Sequence, residues 1–402
     1  MGLRPSSAIP LTCSSKPELR LLPLLLLAFP CALAAQAEPS PSVDPRKLWM
    51  DELYPYAWYS SIDGFWFAGH YGWVSPIGYA ERPEPYFGRL AFDAGASTEG
   101  SYTLLANAQL PAYWDGWRLG VALFAIRSNR LGYYGQGNGT SFDKDSTQGR
   151  SHFYQVSRTT RSARVTVQRR ITGPLRLLVG GTLEHTDFRE LPGGSVFQRD
   201  LASGVVTPDE VPFNDAVVRA GLVLDWRDLE PDPHRGIFGE VLVASGHGYT
   251  RTTASLRGYV HPFNRLVVAG RIAGESMTGS PPISAQFTIE SSEGPYNAMG
   301  GYRSLRGYHD GRFLGPGKLM GGVEARYGLL WSPRVLELKL LAFYDAGRVF
   351  GPGESVRLTR EGLHYAVGGG VGLALMRNSV FTFVVGNGTE GTEILFATQW
   401  SY

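Results

Sequence analysis

Cysteine is almost missing from this chain. Its two copies, Cys13 and Cys31, both fall in the first 37 residues. That segment reads as a cleaved export signal. Arg4, Lys16 and Arg20 make a basic start, Leu21 to Leu33 is apolar but too short to span a bilayer, and small residues at Ala34 and Ala37 suit cleavage. A mature chain without cysteine has no disulfide and no thiolate metal site, so a sheet or a core must hold it together. Charge is scarce as well, at 18% of residues where about 25% is typical. A net charge of +2 gives no basic excess for nucleic acid. Beyond the signal, no stretch approaches the roughly 18 apolar residues of a membrane helix. There is no Gly-x-Ser-x-Gly elbow, and the histidines are scattered without metal-ligand spacing. Nothing indicates an enzyme, a catalytic residue, a metal or a cofactor.

Strict alternation is what the chain has in quantity. Val218, Ala220, Leu222, Leu224 and Trp226 alternate with Arg219, Gly221, Asp225 and Arg227. Leu336, Leu338, Leu340, Ala342, Tyr344 and Ala346 alternate with Glu337, Lys339 and Asp345. Period-2 patterning of this kind predicts strands with one apolar and one polar face. Several runs exceed the ~5–6 residues of an ordinary strand and match the ~9–11 of a tilted membrane strand. Arg158, Arg161, Arg164 and Arg170 on polar faces suit a wet lumen better than a dry core.

The reading is all-β, a sixteen-stranded antiparallel transmembrane β-barrel. Strands are expected near 56–62, 64–78, 85–97, 100–113, 116–127, 151–171, 174–189, 214–227, 236–247, 249–261, 264–277, 318–331, 335–348, 363–377, 379–387 and 391–402. An even number is usual for bacterial barrels. Short turns at Asp115-Gly116, Thr172-Gly173-Pro174 and Pro262-Phe263 alternate with long segments at 128–150, 190–213 and 278–317. That alternation sets the short turns in the periplasm and the long loops outside. Residues 38–55 are left as a short periplasmic stub before a barrel over 56–402. In the last strand, Ile394, Phe396, Thr398, Trp400 and Tyr402 share one face, expected to meet lipid.

One loop carries a more specific pattern. Gly301-Tyr302-Arg303-Ser304-Leu305-Arg306-Gly307-Tyr308 lies in the long segment 278–317, the sixth outer loop of such a barrel, and Glu324 and Asp345 follow on the polar faces of the next two strands. Ser-Leu-Arg-Gly-Tyr also occurs at 255–259, inside an alternating strand, where it reads as lumen lining. The second copy is singled out by its context. An arginine fork can grip carboxylates bidentately, and Gly307 lets the backbone turn without steric cost.

This set resembles the Omp85 superfamily, the BamA/TamA and bacterial surface antigen D15 barrels. The match lies in Leu305-Arg306-Gly307-Tyr308, Glu324 and Asp345. Asp225-Trp226-Arg227-Asp228 running to Pro233-His234-Arg235-Gly236, and Gly135-Gln136-Gly137-Asn138, add to it. The resemblance implies that the sixth loop folds into the lumen, with Arg306 on the acids of the twelfth and thirteenth strands. It implies that Trp400 and Tyr402 act as a C-terminal assembly signal, making the chain a client of the outer-membrane assembly machinery. It also implies residence in the outer membrane of a Gram-negative cell, among lipid and lipopolysaccharide. The implied work is assembly or translocation of a protein or lipid client, by a member without POTRA modules. A passive channel or structural barrel is the alternative.

Overall fold

The computed structural model describes residues 44–402 except 61, 79–81, 333–334 and 377–378. The expected signal over 1–37 lies outside the described residues. Sixteen antiparallel strands form one sheet in sequence order. They are β1 (Met50–Ser60), β2 (Gly64–Pro76), β3 (Tyr86–Ser97), β4 (Tyr102–Trp114), β5 (Trp117–Gly132), β6 (Gln155–Thr172), β7 (Leu175–Arg189) and β8 (Phe213–Arg227). They continue as β9 (Gly236–Gly246), β10 (Tyr249–Phe263), β11 (Leu266–Gly279), β12 (Gly317–Ser332), β13 (Leu336–Phe350), β14 (His364–Leu375), β15 (Ser379–Gly388) and β16 (Gly391–Ala397).

Alternation dictates the two faces. On β8, Val218, Leu222 and Trp226 are exposed while Arg219, Val223 and Arg227 are buried. The same split recurs on β13, where Leu340 and Tyr344 are exposed and Lys339, Phe343 and Asp345 are buried. The buried face is the one on which the loop over 280–316, here loop 6, packs. Loop 6 carries a short hairpin, Thr288–Ile289 with Tyr296–Asn297. Its Met299, Leu305, Tyr308 and Phe313 form an apolar cluster with Ala273, Met320, Val349 and Ala366 of the sheet.

The ends of the chain depart from expectation. β1 begins at Met50, inside the segment expected to be a stub, and pairs with β2 along its whole length. Pro55 lies within this strand. It sits in the first strand of the sheet, where a missing N–H costs no ladder bond if it faces the free edge. At the other end β16 stops at Ala397. Ile394 and Phe396 are exposed as expected, but Trp400 and Tyr402 are only 5% and 4% exposed. The last five residues leave the sheet and turn onto the loop-bearing face, because partners wait there for both the indole and the terminal carbonyl.

Candidate functional site

Loop 6 is pinned at its tip by Arg306, which is fully buried. Its Nε and Nη2 donate to Asp345 Oδ2 and Oδ1 at 2.7 and 3.0 Å, a bidentate fork. Nη1 donates to Glu324 Oε2. The guanidinium lies 3.6 Å above the centre of the Phe343 ring, so a cation–π contact covers its face. Burial alone would lower the Arg306 pKa. Glu324, then Asp345, outweigh it and hold the guanidinium above the ordinary arginine range. Glu324 and Asp345 come from β12 and β13, whose parity turns both carboxylates toward the loop. Glu324 is shared, since Arg326 Nε also donates to it at 2.7 Å.

The neighbours of Arg306 have separate tasks. Leu305 is buried in the apolar cluster. The Tyr308 hydroxyl lies 3.1 Å from Thr389 Oγ1 and 3.3 Å from the Tyr365 carbonyl. Gly307 is required for a different reason than the turn expected of it. A Cβ there would come within 2.5 Å of Gly388 N, and one on Gly386 within 2.0 Å of the Arg306 carbonyl. Two backbones touch at this point, and only glycine on both sides permits it. Left-handed φ values fall earlier in the loop, at Gly300 and Gly301.

Two acids on loop 6 had no signal in the sequence. Glu293 accepts from Arg227 Nη2 at 2.8 Å and from Arg257 Nη1 at 2.7 Å. Arg257 and Arg227 hold its carboxyl well below the usual range, against the effect of burial. Glu290 accepts from Arg164 at 2.5 Å and lies 3.5 Å from Arg219. The Arg-Gly-Tyr copy at 257–259 therefore holds the loop as well as lining the sheet. The Asp225/Arg227 pair, joined at 2.8 and 2.9 Å, belongs to the same grip. From the Gly135–Asn138 segment, Asn138 Oδ1 accepts from Val349 N at 2.9 Å, and Gly137 N donates to the Leu314 carbonyl at 2.7 Å.

The C-terminal tail joins the site from below. Arg326 Nη2 donates to the Tyr402 carbonyl at 2.6 Å, and Arg271 stacks 4.4 Å over the Tyr402 ring. Tyr302 of loop 6 donates to the Gln399 carbonyl at 2.7 Å, and Ser401 Oγ donates to the Tyr302 carbonyl at 2.9 Å. Trp400 Nε1 donates to Asp232 Oδ1 at 2.7 Å. Asp232, His234 and Glu337 come within ligand reach of one another, a grouping that their spacing in sequence concealed. Lys339 Nζ sits among them, 2.8 Å from both Asp232 oxygens and 3.0 Å from Glu337. Its ammonium supplies the positive charge there. Burial would lower the His234 pKa, but bonds to Asp232 and Glu337 raise it to about 9.

Arg306, Glu324 and Asp345 thus meet at one point on the buried face of the sheet. A family model described as the Omp85 superfamily domain matches residues 89–382. The chain belongs to the Omp85 superfamily. Its fold is similar to that of BamA from Haemophilus ducreyi lacking POTRA domains 1–3, with a TM-score of 0.52 and 13% identity, over 86% of this chain and 69% of that one. It is also similar to CdiB from Escherichia coli, with a TM-score of 0.50 and 11% identity, over 85% of this chain and 58% of that one. No curated protein sequence matches it significantly.

Proposed function

We propose that the sheet closes into an outer-membrane barrel of a Gram-negative cell, with loop 6 folded into its lumen. We read residues 1–37 as its cleaved signal. The barrel acts in assembly or translocation of outer-membrane protein or lipid, and it is not an enzyme. The buried Arg306 fork on Asp345, backed by Glu324, carries this reading. A guanidinium with all its charge matched inside a shielded space holds a loop as a brace, not as a solvated ornament. A seam that yields sideways fits the ends of the sheet. β16 spans 7 residues and β1 spans 11, so the two could share only a short ladder. Trp400 and Tyr402 serve as the assembly signal while the chain is being inserted, and they reach their buried places afterwards.

Depletion of the protein from cells, followed by outer-membrane proteomics and measurement of lipid asymmetry, tests the role. If both stay unchanged, the assembly or translocation role is refuted. A passive channel is the second reading. It is favoured by a cavity of about 1300 Å³ whose largely apolar lining includes His70, Asp93, Glu184 and Asp215. A large, stable conductance of the purified protein in a planar bilayer, unaltered by Arg306→Ala, would favour that reading.

A further inference from the structure

Arginines on the loop-bearing face nearly all meet a carboxylate: Arg164 with Glu290, Arg227 with Asp225, Arg257 with Glu293 and Arg306 with Asp345. Three described arginines on the opposite, apolar face do not: Arg169, which lies over Trp117, and a neighbouring pair higher up. Arg127 of β5 and Arg161 of β6 share the parity of the exposed Leu123 and Val165. Among the described residues neither has a carboxylate within ion-pair distance. Arg127 Nε donates to Thr159 Oγ1 at 3.2 Å, and its guanidinium lies 5.6 Å from the centre of the Tyr102 ring. Arg161 is exposed. Asp187, on the same face of β7, is taken by Arg189 at 3.3 Å.

The register brings these cations together. Arg127 pairs with Thr159, and Arg161 with Ala125, so the two arginines are diagonal neighbours on adjacent strands. Such positions lie about 7–8 Å apart at Cα, near enough for two guanidinium groups to flank one phosphate. His185 stands opposite Arg161, and its Nδ1 is 2.8 Å from Asn214 Oδ1. Tyr102, Arg127, Arg161, His185 and Asn214 therefore form a polar row across β4 to β8. Below it the same face is apolar, with Leu104, Leu123, Val165 and Leu183 exposed.

Height along the strands gives the row its place. Arg127 lies about ten residues from Trp117 along β5. At about 3.3 Å per residue and a tilt of about 40°, that is a rise of roughly 25 Å, the height of a barrel's apolar band. Trp117, stacked under Arg169 at 4.8 Å, marks the lower boundary. The row marks the upper one, toward the long loops. An unpaired arginine is costly at mid-bilayer but not at the headgroup level, where anionic groups can meet it.

We propose that Arg127 and Arg161, with His185 beside them, form a binding site for a phosphate of the outer-leaflet glycolipid, that is, of lipid A. This rests on reading the apolar face as lipid-facing in an outer membrane. The test is titration of purified, folded protein in detergent with bisphosphoryl lipid A, dephosphorylated lipid A and phosphatidylglycerol, with the bound fraction read by native mass spectrometry. Arg127→Gln/Arg161→Gln is expected to lower the affinity for bisphosphoryl lipid A on the order of tenfold. Dephosphorylated lipid A and phosphatidylglycerol should bind the unaltered protein that much more weakly. Arg130→Gln, at an arginine held by Glu99 at 2.6 Å, should change nothing. If the double variant folds poorly, Arg161→Gln alone gives the same comparison, because that side chain holds no ion pair. Undiminished lipid A binding by the variants, or equal binding of phosphatidylglycerol, overturns the site. Heat-modifiable migration of the same samples reports separately on whether the barrel itself is formed.

Discussion

Trp400 and Asp232 are joined by an indole N–H to carboxylate hydrogen bond of 2.7 Å across 168 positions of chain. The bond ties the C-terminal tail to the turn between β8 and β9. Lys339 and His234 complete the carboxylate's partners. Trp400→Phe keeps an aromatic ring, smaller than the indole, and removes the donor, so it should cost at least about 1 kcal/mol and speed trimming of the C-terminus by carboxypeptidase. A trimming rate equal to that of the unaltered protein would mean the bond does not hold the tail.

Removing the Arg306 side chain leaves Asp345 buried and unmatched. Arg306→Ala should destabilise the loop by about 3–5 kcal/mol, as expected when one partner of a buried pair is lost. Protease sensitivity of loop 6 in detergent should rise, and heat-modifiable migration should shift to lower temperature. Asp345→Asn should weaken the brace more than Glu324→Gln. Asp345 takes both arms of the fork, whereas Glu324 divides its charge between Arg306 and Arg326. The reverse order would refute this apportionment.

Gly307→Ala tests the backbone contact apart from charge. Its methyl group would press on Gly388 N and the Asn387 carbonyl, neither of which can swing aside. Loop 6 should loosen nearly as much as in Arg306→Ala, although every charge is intact. Gly258→Ala serves as the control, since nothing lies within 4 Å of the added atom. Equal behaviour of the two alanine variants would disprove the close approach.

The turn between β8 and β9 should respond to alkali. His234 is raised from 6.5 to about 9, burial opposing and Asp232 and Glu337 prevailing. A histidine raised on folding adds stability that is full below pH 6.5 and is lost as pH climbs through about 9. Release of the tail, followed by Trp400 fluorescence, should therefore begin between these values. His234→Gln should flatten that profile. A His234→Gln profile with the same midpoint would assign the titration to another group.

Loop 6 should respond to mild acid in the opposite sense. Asp310 is exposed on loop 6, yet the dense packing around the loop and the charge of Glu393 raise it from 3.8 to about 6. An acid raised on folding favours the folded loop below its raised value, and that advantage falls as pH rises from 3.8 through about 6. Proteolysis of the loop should be slower at pH 5 than at pH 7, and Asp310→Asn should remove the difference. A difference that persists in Asp310→Asn excludes this carboxyl.

The strands could be read because alternation is a local property, repeated in nearly every element. The acids facing Arg306 could be read for the same reason, since parity alone turns Glu324 and Asp345 inward. What escaped lies between distant segments. Nothing near Glu293 in sequence announces Arg227 or Arg257, and nothing near Trp400 announces Asp232. The tail misled because its aromatics continue the period of β16 beyond Ala397. Periodicity records which residues could share a face, but not where the ladder ends.

The meeting of Gly307 with Gly386 and Gly388 bears on the order of events during folding. Arg306 is gripped by β12 and β13, its carbonyl rests on β15, and its charge partner Glu324 is linked through Arg326 to the final residue, Tyr402. These supports are all made after the loop itself. Glu290 and Glu293 can dock on the earlier strands β6, β8 and β10, but the Arg306 tip cannot seat until β12, β13 and β15 are in place, so its docking works as a completion check on the wall.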